Sequence, residues 1–360
     1  MSATHDKSAD GTKSSRKRPR AATIHEVALR AGVSPMTVSR VVNGEKNVRE
    51  ATRALVLAAV QDLQYAPNPA ARSLAGGGAT RIGLLYSNPS TAYLSEFLVG
   101  ALDESSRAGA LLTLEKCEIS DPAADRASAR KLIQGGVGGV ILPSPLCEYV
   151  PVVETLKEAN MPMIAVAIGL PRDDMSCVRI DDFKAALEMT RYLISLGHRH
   201  IGFIKGHPNT SSSAQRQLGF EAAMREADIR IDRSFVAQGY FSYRSGLDAA
   251  EKLLAGRAIP TAIFASNDDM AAAVVSVAHR RGLDVPRDLS VVGFDDTAVA
   301  STIWPELTTI RQPVAAMAET ALDLLIREIR RRKAGGEIEP LDHLVAHTLI
   351  RRQSAMAPRA

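Results

Sequence analysis

Residues 23–43 read TIHEVALRAGVSPMTVSRVVN and contain the start and stop signals of two short helices. Thr23 and Glu26 have the spacing of a capping box, in which each side chain bonds the backbone N–H of the other residue. Gly32 ends the first helix, and Ser34-Pro35 begins the second with a capping serine and a proline at the first helical position. Two short helices joined by a turn that contains glycine predict a helix-turn-helix.

The second helix of such a pair enters the major groove of DNA with its N-terminal residues leading. Arg40 is the candidate for a guanine contact, because its planar fork can donate to O6 and N7 together; a phosphate or structural role is the alternative. Thr37 and Ser39 suit phosphates, and Pro35 and Met36 offer apolar contact only. The candidate DNA-binding residues of this segment are Thr23, Ser34, Pro35, Met36, Thr37, Ser39, Arg40 and Asn43.

A third helix is expected at about residues 49–64, with Leu55, Ala59 and Leu63 as its apolar stripe. We therefore expect a helix-turn-helix domain at residues 23–67, preceded by a disordered basic arm at residues 1–22.

The stretch at residues 65–76, YAPNPAARSLAG, predicts a short hinge. Asn68 can cap and Pro69 can open a helix of barely two turns, which is marginal in isolation and needs DNA or a partner chain to form. Leu74 is then available as an apolar wedge in the minor groove, the alternative being simple packing in a linker. Asn68, Arg72 and Leu74 complete the candidate DNA-binding residues, and hinge and linker together span residues 68–79.

The helix pair and the hinge, taken together with their spacing, resemble the LacI/GalR family of bacterial regulators, and the similarity continues to near the C-terminus. The resemblance implies a homodimer whose paired hinge helices insert leucines at the centre of a pseudo-palindromic operator. It also implies a core that binds a small-molecule effector.

Charge and composition agree with a DNA partner at the N-terminal end. Residues 1–75 hold 12 Lys and Arg against 6 Asp and Glu, whereas the rest of the chain is slightly acidic. The sequence contains neither a secretory signal at its start nor an apolar run of membrane-spanning length, so we expect a cytoplasmic protein. Cys117, Cys147 and Cys177 form no CxxC pair, which favours ordinary buried thiols over a zinc site or disulfides.

From Arg81 onward, apolar strands alternate with helical stretches, which predicts parallel sheets covered on both faces. The fold class is therefore α/β: an N-terminal helix-turn-helix domain plus a two-lobed core like that of periplasmic binding proteins. We expect the core at residues 80–351, with lobe 1 at about 80–179 and 311–338 and lobe 2 at about 180–310 and 339–351. Residues 352–360 are expected to be a disordered tail.

Ligands of open parallel sheets bind at the carboxyl ends of the strands, so the residues that follow the strands are informative. Arg216, Asn267 and Asp295 offer the donors and acceptors that sugar hydroxyls require, and Phe241 offers a flat apolar wall. Asn267 and Asp295 have a helix cap as the ordinary alternative, and Phe241 has core packing.

The family resemblance implies that these four residues contact the effector. It adds Asn88, Tyr93 and Gln312 to the candidate set. Ala92 stands before Tyr93 where many members carry a second aromatic, and Pro143 and Ala167 stand where some members carry polar ligand contacts. These differences argue against transferring the sugar of any one member to this chain.

Other classes of protein have less support in the sequence. There is no P-loop and no GxSxG, and the glycines at residues 135–139 precede a strand rather than follow one, so they predict a tight turn. His198 and His200 lie at a helix-to-strand junction without the spacing of a metal site. The sequence thus predicts a repressor, without enzyme activity or cofactor, that is controlled by a sugar as inducer or corepressor. The alternatives are a sugar carrier and a sugar-modifying enzyme with an accessory DNA-binding domain.

Overall fold

The N-terminal helices form a small bundle of their own in a computed structural model of the protein. The structure describes residues 22–42, 48–63, 65, 79–87, 90–336 and 339–359. The chain divides into two units, residues 1–79 and 80–360. The basic arm before residue 22, Asn43, Asn68, Arg72, Leu74 and Asn88 lie outside the described residues.

Helix α1 (Ile24–Ala31) is capped at both ends as its sequence predicts. The Thr23 N–H donates to Oε2 of Glu26 over 2.6 Å, and the Glu26 N–H donates to Oγ1 of Thr23 over 3.3 Å, which is a complete capping box. Gly32 ends the helix with a φ of 67°, a left-handed conformation that glycine adopts without steric cost.

Helices α2 (Pro35–Val42) and α3 (Glu50–Asp62) pack on α1 through three fully buried valines, Val27, Val38 and Val56. The expected stripe of α3 is wrong at one position, because Leu55 is 59% exposed and its neighbour Val56 is buried instead. Val56 and Ala59 are three residues apart and share one face of the helix, which turns Leu55 toward solvent.

Lobe 1 is built on a six-stranded parallel sheet with the strand order β11-β5-β4-β3-β1-β2. Its strands are β1 (Arg81–Tyr86), β2 (Leu111–Lys116), β3 (Gly139–Pro143), β4 (Met163–Val166), β5 (Ser176–Arg179) and β11 (Asp342–Leu344). Its helices are α4 (Thr91–Ala108), α5 (Pro122–Gln134), α6 (Val150–Glu158) and α12 (Val314–Lys333). Helices α4 and α12 cover one face and α5 and α6 the other, so the central strands are buried on both sides.

Lobe 2 is built on a four-stranded parallel sheet with the order β7-β6-β8-β9. Its strands are β6 (Ile201–Lys205), β7 (Val236–Gln238), β8 (Ala262–Ala265) and β9 (Ser290–Val292). Its helices are α7 (Asp182–Ser195), α8 (Ser211–Glu226), α9 (Tyr243–Leu253), α10 (Asp268–Arg280) and α11 (Ala298–Thr302). Helices α7 and α8 pack together, as do α9 and α10, which completes the predicted α/β architecture.

The chain crosses between the lobes after β5, after β10 (Thr309–Arg311) and before β12 (Thr348–Ile350). Strands β10 and β12 pair antiparallel beside lobe 2, with Ile310 opposite Leu349. Strand β11 pairs with β5 in the sheet of lobe 1. The third crossing therefore lies after Leu344, later than the boundary expected at residue 339.

The expectation of a disordered tail after residue 351 is wrong for the described residues up to 359. The Val291 N–H donates to the Ser354 carbonyl over 2.8 Å, and the Met356 N–H donates to Oγ of Ser290 over 3.0 Å. Ser354 is fully buried and also accepts a bond from the Thr308 N–H. These residues lie along β9, the edge strand of the lobe 2 sheet, and occupy hydrogen-bonding groups that an edge otherwise exposes.

Three smaller expectations can be compared with the structure. Cys117, Cys147 and Cys177 are buried, as predicted. The glycine run forms a turn before β3, with Gly136 at a φ of 73°. Within the described residues, no helix is long and apolar enough to cross a membrane.

Candidate functional site

A cavity of about 70 Å³ lies in the cleft of the core and is lined by both lobes. Lobe 1 contributes Ser90, Tyr93, Ser144, Pro145 and Ala167. Lobe 2 contributes His207, Thr210, Ser212, Arg216, Tyr240, Phe241, Asn267 and Asp295. Most of these residues follow the carboxyl end of a parallel strand, which is where such sheets bind ligands. The structure thus brings together five predicted effector residues, Tyr93, Arg216, Phe241, Asn267 and Asp295.

Arg216 lies on the first turns of α8 and is almost completely buried. Its Nε donates to Oδ1 of Asp182 over 2.8 Å, and its Nη1 donates to the Ser266 carbonyl over 2.5 Å. The guanidinium carbon lies 3.6 Å from the centroid of the Phe294 ring, within the range of a cation–π interaction. Asp182 is equally buried, and burial raises the pKa of its carboxyl despite the neighbouring arginine. The arginine is therefore held rigidly by the protein before any ligand arrives.

Asp295 follows β9 with a φ of 112°, a strained backbone conformation that is rare outside glycine. Its Oδ1 accepts a bond of 2.6 Å from Nε2 of Gln312. Burial raises the pKa of the Asp295 carboxyl to about 7, although Arg216 and the Gln312 bond act in the opposite direction. The predicted residue Gln312 thus lies against Asp295, which itself lines the cavity.

Asn267 caps the N-terminus of α10, which is the alternative role that the sequence allowed for it. Its Oδ1 accepts from the Met270 N–H over 3.0 Å at the start of α10, and its Nδ2 donates to the Phe241 carbonyl over 2.9 Å. With both ends of the amide engaged, Asn267 holds the backbone of the aromatic wall in place.

Phe241 has a φ of 60°, a left-handed conformation that is unusual for an aromatic residue. The ring packs against Gly206, where an added Cβ would lie 2.0 Å from the ring carbon Cζ. Together with the cap of Asn267, this close approach fixes the position of the ring beside Arg216.

Two buried polar atoms at the site have no hydrogen-bond partner within the described residues, the hydroxyl of Tyr93 and Oε1 of Gln312. Tyr93 is 6% exposed, and burial raises the pKa of its hydroxyl. Buried polar groups are nearly always paired, so an unpaired hydroxyl on a cavity wall points to a ligand.

Sequence reasoning missed several lining residues, including Ser144, His207, Thr210 and Ser212. Ser144 directly follows β3, and His207, Thr210 and Ser212 lie on the loop and first helical turn after β6, so the signal is again a position beyond the end of a strand, as for Asp295.

A second set of missed residues joins the two lobes beside the cavity. The Ser211 N–H, at the start of α8 in lobe 2, donates to the Glu148 carboxylate of lobe 1 at 3.0 and 3.2 Å. The Gly169 N–H of lobe 1 donates to Oγ of Ser211 over 2.9 Å. Burial raises the pKa of the Glu148 carboxyl. We call Glu148, Gly169 and Ser211 the interlobe contact; it holds the lobes in the closed arrangement seen here.

In the first unit, α2 exposes the side that we expect to face DNA. The Ser34 hydroxyl accepts from the Thr37 N–H over 3.2 Å, so serine caps the helix that Pro35 opens. Val38 and Val41 are buried, whereas Met36 and Arg40 lie one turn apart on the exposed side. This side has the residue types and spacing that reading a major groove requires.

Two family models match the chain. The model described as "Bacterial regulatory proteins, lacI family" matches residues 23–68, and the model described as "Periplasmic binding protein-like domain" matches residues 190–355. The first covers the helix-turn-helix, and the second covers most of lobe 2 together with the last helix and strands.

The similarity to known proteins extends over nearly the whole chain. The HTH-type transcriptional repressor PurR of Pectobacterium atrosepticum is 36% identical over 338 residues, which are 92% of this chain and 96% of that protein. Catabolite control protein A of Priestia megaterium is 33% identical over 332 residues, which are 90% of this chain and 97% of that protein.

Solved structures of similar fold also cover nearly the whole chain. A complex of the transcriptional regulator CelR with cellobiose has a TM-score of 0.70 at 30% identity and covers 92% of this chain and 99% of its own. The lac repressor dimer bound to operator and the anti-inducer ONPF has a TM-score of 0.69 at 28% identity and covers 94% of this chain and 100% of its own.

Proposed function

The chain belongs to the lacI family of bacterial regulatory proteins, and from this premise we propose that it is a dimeric repressor of carbohydrate-utilisation genes, controlled by a sugar. Its relatives are DNA-binding transcription regulators with an effector-binding core. The single observation that carries the sugar proposal is the cleft, where Arg216, Asp295 and the unpaired hydroxyl of Tyr93 surround one cavity next to an aromatic wall.

The chemistry of the cleft supports a polyhydroxylated ligand. A carboxylate accepts from two hydroxyls, a guanidinium donates to several oxygens, and a ring such as that of Phe241 packs on the apolar face of a sugar. The similar CelR structure contains cellobiose, which agrees with a carbohydrate in this type of cleft.

Operator binding is assigned to the exposed side of α2, with Arg40 reading a guanine and Thr37 and Ser39 contacting phosphates. Asn43, Asn68, Arg72 and Leu74, outside the described residues, retain their proposed contacts with the operator. The expected hinge helix, which needs DNA or a partner chain to form, would make Leu74 a minor-groove wedge.

The dimer proposal is supported by an exposed apolar surface on lobe 1. Val99 and Leu102 on α4 and Leu111 and Leu114 on β2 are 42–57% exposed, and β2 is an edge strand. Exposed apolar side chains beside an unpaired strand edge are typical of a protein–protein interface. The similar lac repressor was solved as a dimer on its operator.

The mechanism is a shift between arrangements of the two lobes. A ligand that touches both lobes favours one of their relative orientations by its difference in affinity for the two states. Because the hinge connects directly to lobe 1, this orientation sets the spacing of the two hinge helices in a dimer. We propose that the ligand is an inducer, whose binding releases the protein from the operator. A corepressor would act through the same lobes and hinge but would strengthen operator binding.

The test is a gel shift on DNA from upstream of the gene, at several salt concentrations, with and without mono- and disaccharides. We expect a sequence-selective shift that weakens steeply with salt and that one sugar reverses. Equal affinity for random duplex under all these conditions would contradict the proposal.

Arg40→Ala tests more directly whether α2, the proposed reading helix, recognises the operator sequence. We expect a loss of about 1–3 kcal/mol in operator binding and little change in binding to random DNA, because a bidentate base contact carries specificity. Thr37→Ala is the matched control on the same helix, and it should weaken binding to both DNAs about equally. If Arg40→Ala also weakens both equally, Arg40 contacts phosphate.

A further inference from the structure

The last turn of α12, in lobe 1, carries a dense positive charge. Residues 330–333 read RRRK, and all four side chains are exposed. The dipole of a helix favours cations at its C-terminus, but at an exposed position this interaction contributes only about 0.3–1 kcal/mol. Like charges this close together also repel each other. Four consecutive cations therefore exceed what the helix itself requires.

The acidic residues of α12 do not neutralise this turn. Each acid in the second half of the helix is paired with an arginine four residues later. The pairs are Asp323–Arg327 at 2.7 Å and Glu328–Arg332 at 2.8 Å. The other three cations of the turn, Arg330, Arg331 and Lys333, form no ion pair with any residue that the structure describes. The chain after residue 75 is slightly acidic as a whole, so this uncompensated cluster is a local feature.

The basic turn lies at the edge of lobe 1 where the core begins. Strand β1 starts at Arg81, whose carbonyl accepts from the Gly138 N–H over 2.7 Å. A Cβ built on Gly138 would lie 3.5 Å from the side chain of Ile329, the residue before the turn. Arg81 is exposed as well, and its Nη1 donates to the Gly135 carbonyl over 2.9 Å. We call Arg81, Arg330, Arg331 and Lys333 the basic edge.

The length of chain between Arg81 and the expected hinge limits how far this edge can be from DNA. Leu74, the proposed wedge in the minor groove, precedes Arg81 by seven residues. Seven residues span at most about 25 Å, even when they are fully extended. Double-stranded DNA carries one negative charge for about every 1.7 Å of its axis. On an operator, the basic edge is therefore held in the neighbourhood of many phosphates.

We propose that the basic edge is a second DNA-contacting surface, which binds operator phosphates beside the hinge without reading the sequence. The proposal rests on the proposed function, because it requires an operator with the hinge bound to it. The guanidinium of arginine matches two phosphate oxygens at once, and lysine binds phosphate as a point charge. Since the backbone is the same at every base pair, this surface should strengthen binding to operator and random DNA alike.

The experiment measures how the affinity of the full-length protein for DNA depends on salt. Each phosphate contact contributes about 0.9 to the slope of log affinity against log salt concentration. The triple variant Arg330→Gln, Arg331→Gln, Lys333→Gln removes three cations and keeps residues that favour a helix. We expect its slope to be shallower by about 2–5 for the two copies in a dimer. At low salt, its affinities for operator and random duplex should fall by the same factor, about tenfold or more.

A matched control removes three exposed cations from lobe 2. Arg225, Arg230 and Arg257 also lack an ion pair among the described residues, so changing all three to glutamine alters the net charge equally. This control should keep the slope of the unaltered protein.

Arg330→Lys with Arg331→Lys keeps the charge of the edge and changes only the shape of two side chains. Because the proposed contact is electrostatic, this conservative variant should keep most of the slope. A purely structural role of the two guanidinium groups would not survive the exchange, and the slope would then fall as in the glutamine variant.

The outcomes separate this surface from the function on which it rests. If the glutamine variant keeps the slope of the unaltered protein, or if the lobe 2 control loses as much, the basic edge does not contact DNA and the repressor stands. A loss of operator affinity without a loss for random duplex would also contradict the proposal, because phosphate contacts carry no sequence preference. If the unaltered protein prefers no duplex at any salt concentration, the proposed function is wrong and this inference falls with it.

Discussion

At the scale of single residues, the cleft depends on a glycine that is not among the residues lining its cavity. An added Cβ at Gly206 would lie 2.0 Å from Cζ of Phe241, closer than two carbon atoms can approach. Because the backbone at Gly206 directly follows a buried strand, the Phe241 ring is the group that must move.

Gly206→Ala should therefore displace Phe241 and weaken effector binding by about 1–3 kcal/mol, while operator binding is unchanged. Calorimetry with the effector and a gel shift with the operator measure the two effects. Gly138→Ala is the control, because its added Cβ meets its nearest neighbour at 3.5 Å, an ordinary contact. Unaltered effector affinity in Gly206→Ala would show that the ring is not part of the site.

Arg216 and Asp182 form a buried pair whose members depend on each other. Removing one partner leaves an uncompensated charge in the interior, so Arg216→Ala should lower the free energy of unfolding by about 3–5 kcal/mol. The double variant Arg216→Met with Asp182→Asn should recover much of that loss. Urea denaturation measures the stability, and purely additive effects would contradict the coupling.

At the scale of secondary-structure elements, the start of α8 carries both the arginine of the site and the interlobe contact. Ser211 bonds Glu148 and Gly169 of lobe 1 one and a half turns before Arg216 enters the cavity. An effector that closes the cleft and a contact that forms on closure should therefore reinforce each other.

Glu148→Ala removes the carboxylate that accepts from the Ser211 N–H, while the bond from the Gly169 N–H to Oγ of Ser211 remains. Because hydrogen bonds to a charged acceptor contribute roughly 1.5–3 kcal/mol and Glu148 is only half-buried, we expect effector affinity to fall by about 1.5 kcal/mol through a less stable closed state. Glu158→Ala, an exposed acid of the same lobe, is the control. Small-angle scattering of the free variant should show a more open core, and a core as closed as that of the unaltered protein would count against the contact.

Elements with local signals could be predicted from the sequence. The capping box of Thr23 and the stop at Gly32 act over one helical turn, so the sequence alone places α1. The strands of the core are buried apolar runs, and the polar residues after them could be assigned to the cleft before the structure was known.

Features decided by distant contacts could not be predicted in this way. The choice between Leu55 and Val56 as the buried residue of α3 depends on how three helices meet. Residues 352–359 have no local pattern of a strand and are ordered by the edge of β9. Glu148 lies 63 residues from its partner Ser211, and nothing near it in the sequence marks the contact.

At the scale of the whole molecule, the proposed dimer would place two reading helices on one operator. Leu102→Asp together with Leu111→Asp should convert the dimer to a monomer, because each substitution buries a charge in the proposed interface. Sedimentation velocity measures the assembly, and operator affinity should fall with it. Leu218→Asp, an exposed leucine of lobe 2, is the control. A double variant that remains a dimer would place the interface elsewhere.

The three crossings between the lobes have a consequence for how the protein is made. The sheet of lobe 1 takes its outer strand, β11, from residues 342–344, and the helix α12 that covers it from residues 314–333. A ribosome releases the three helices of the first unit long before it reaches these segments. During synthesis the first lobe must wait for the last tenth of the chain, and a gene cut at any single point between residues 86 and 342 separates strands that belong to the same sheet.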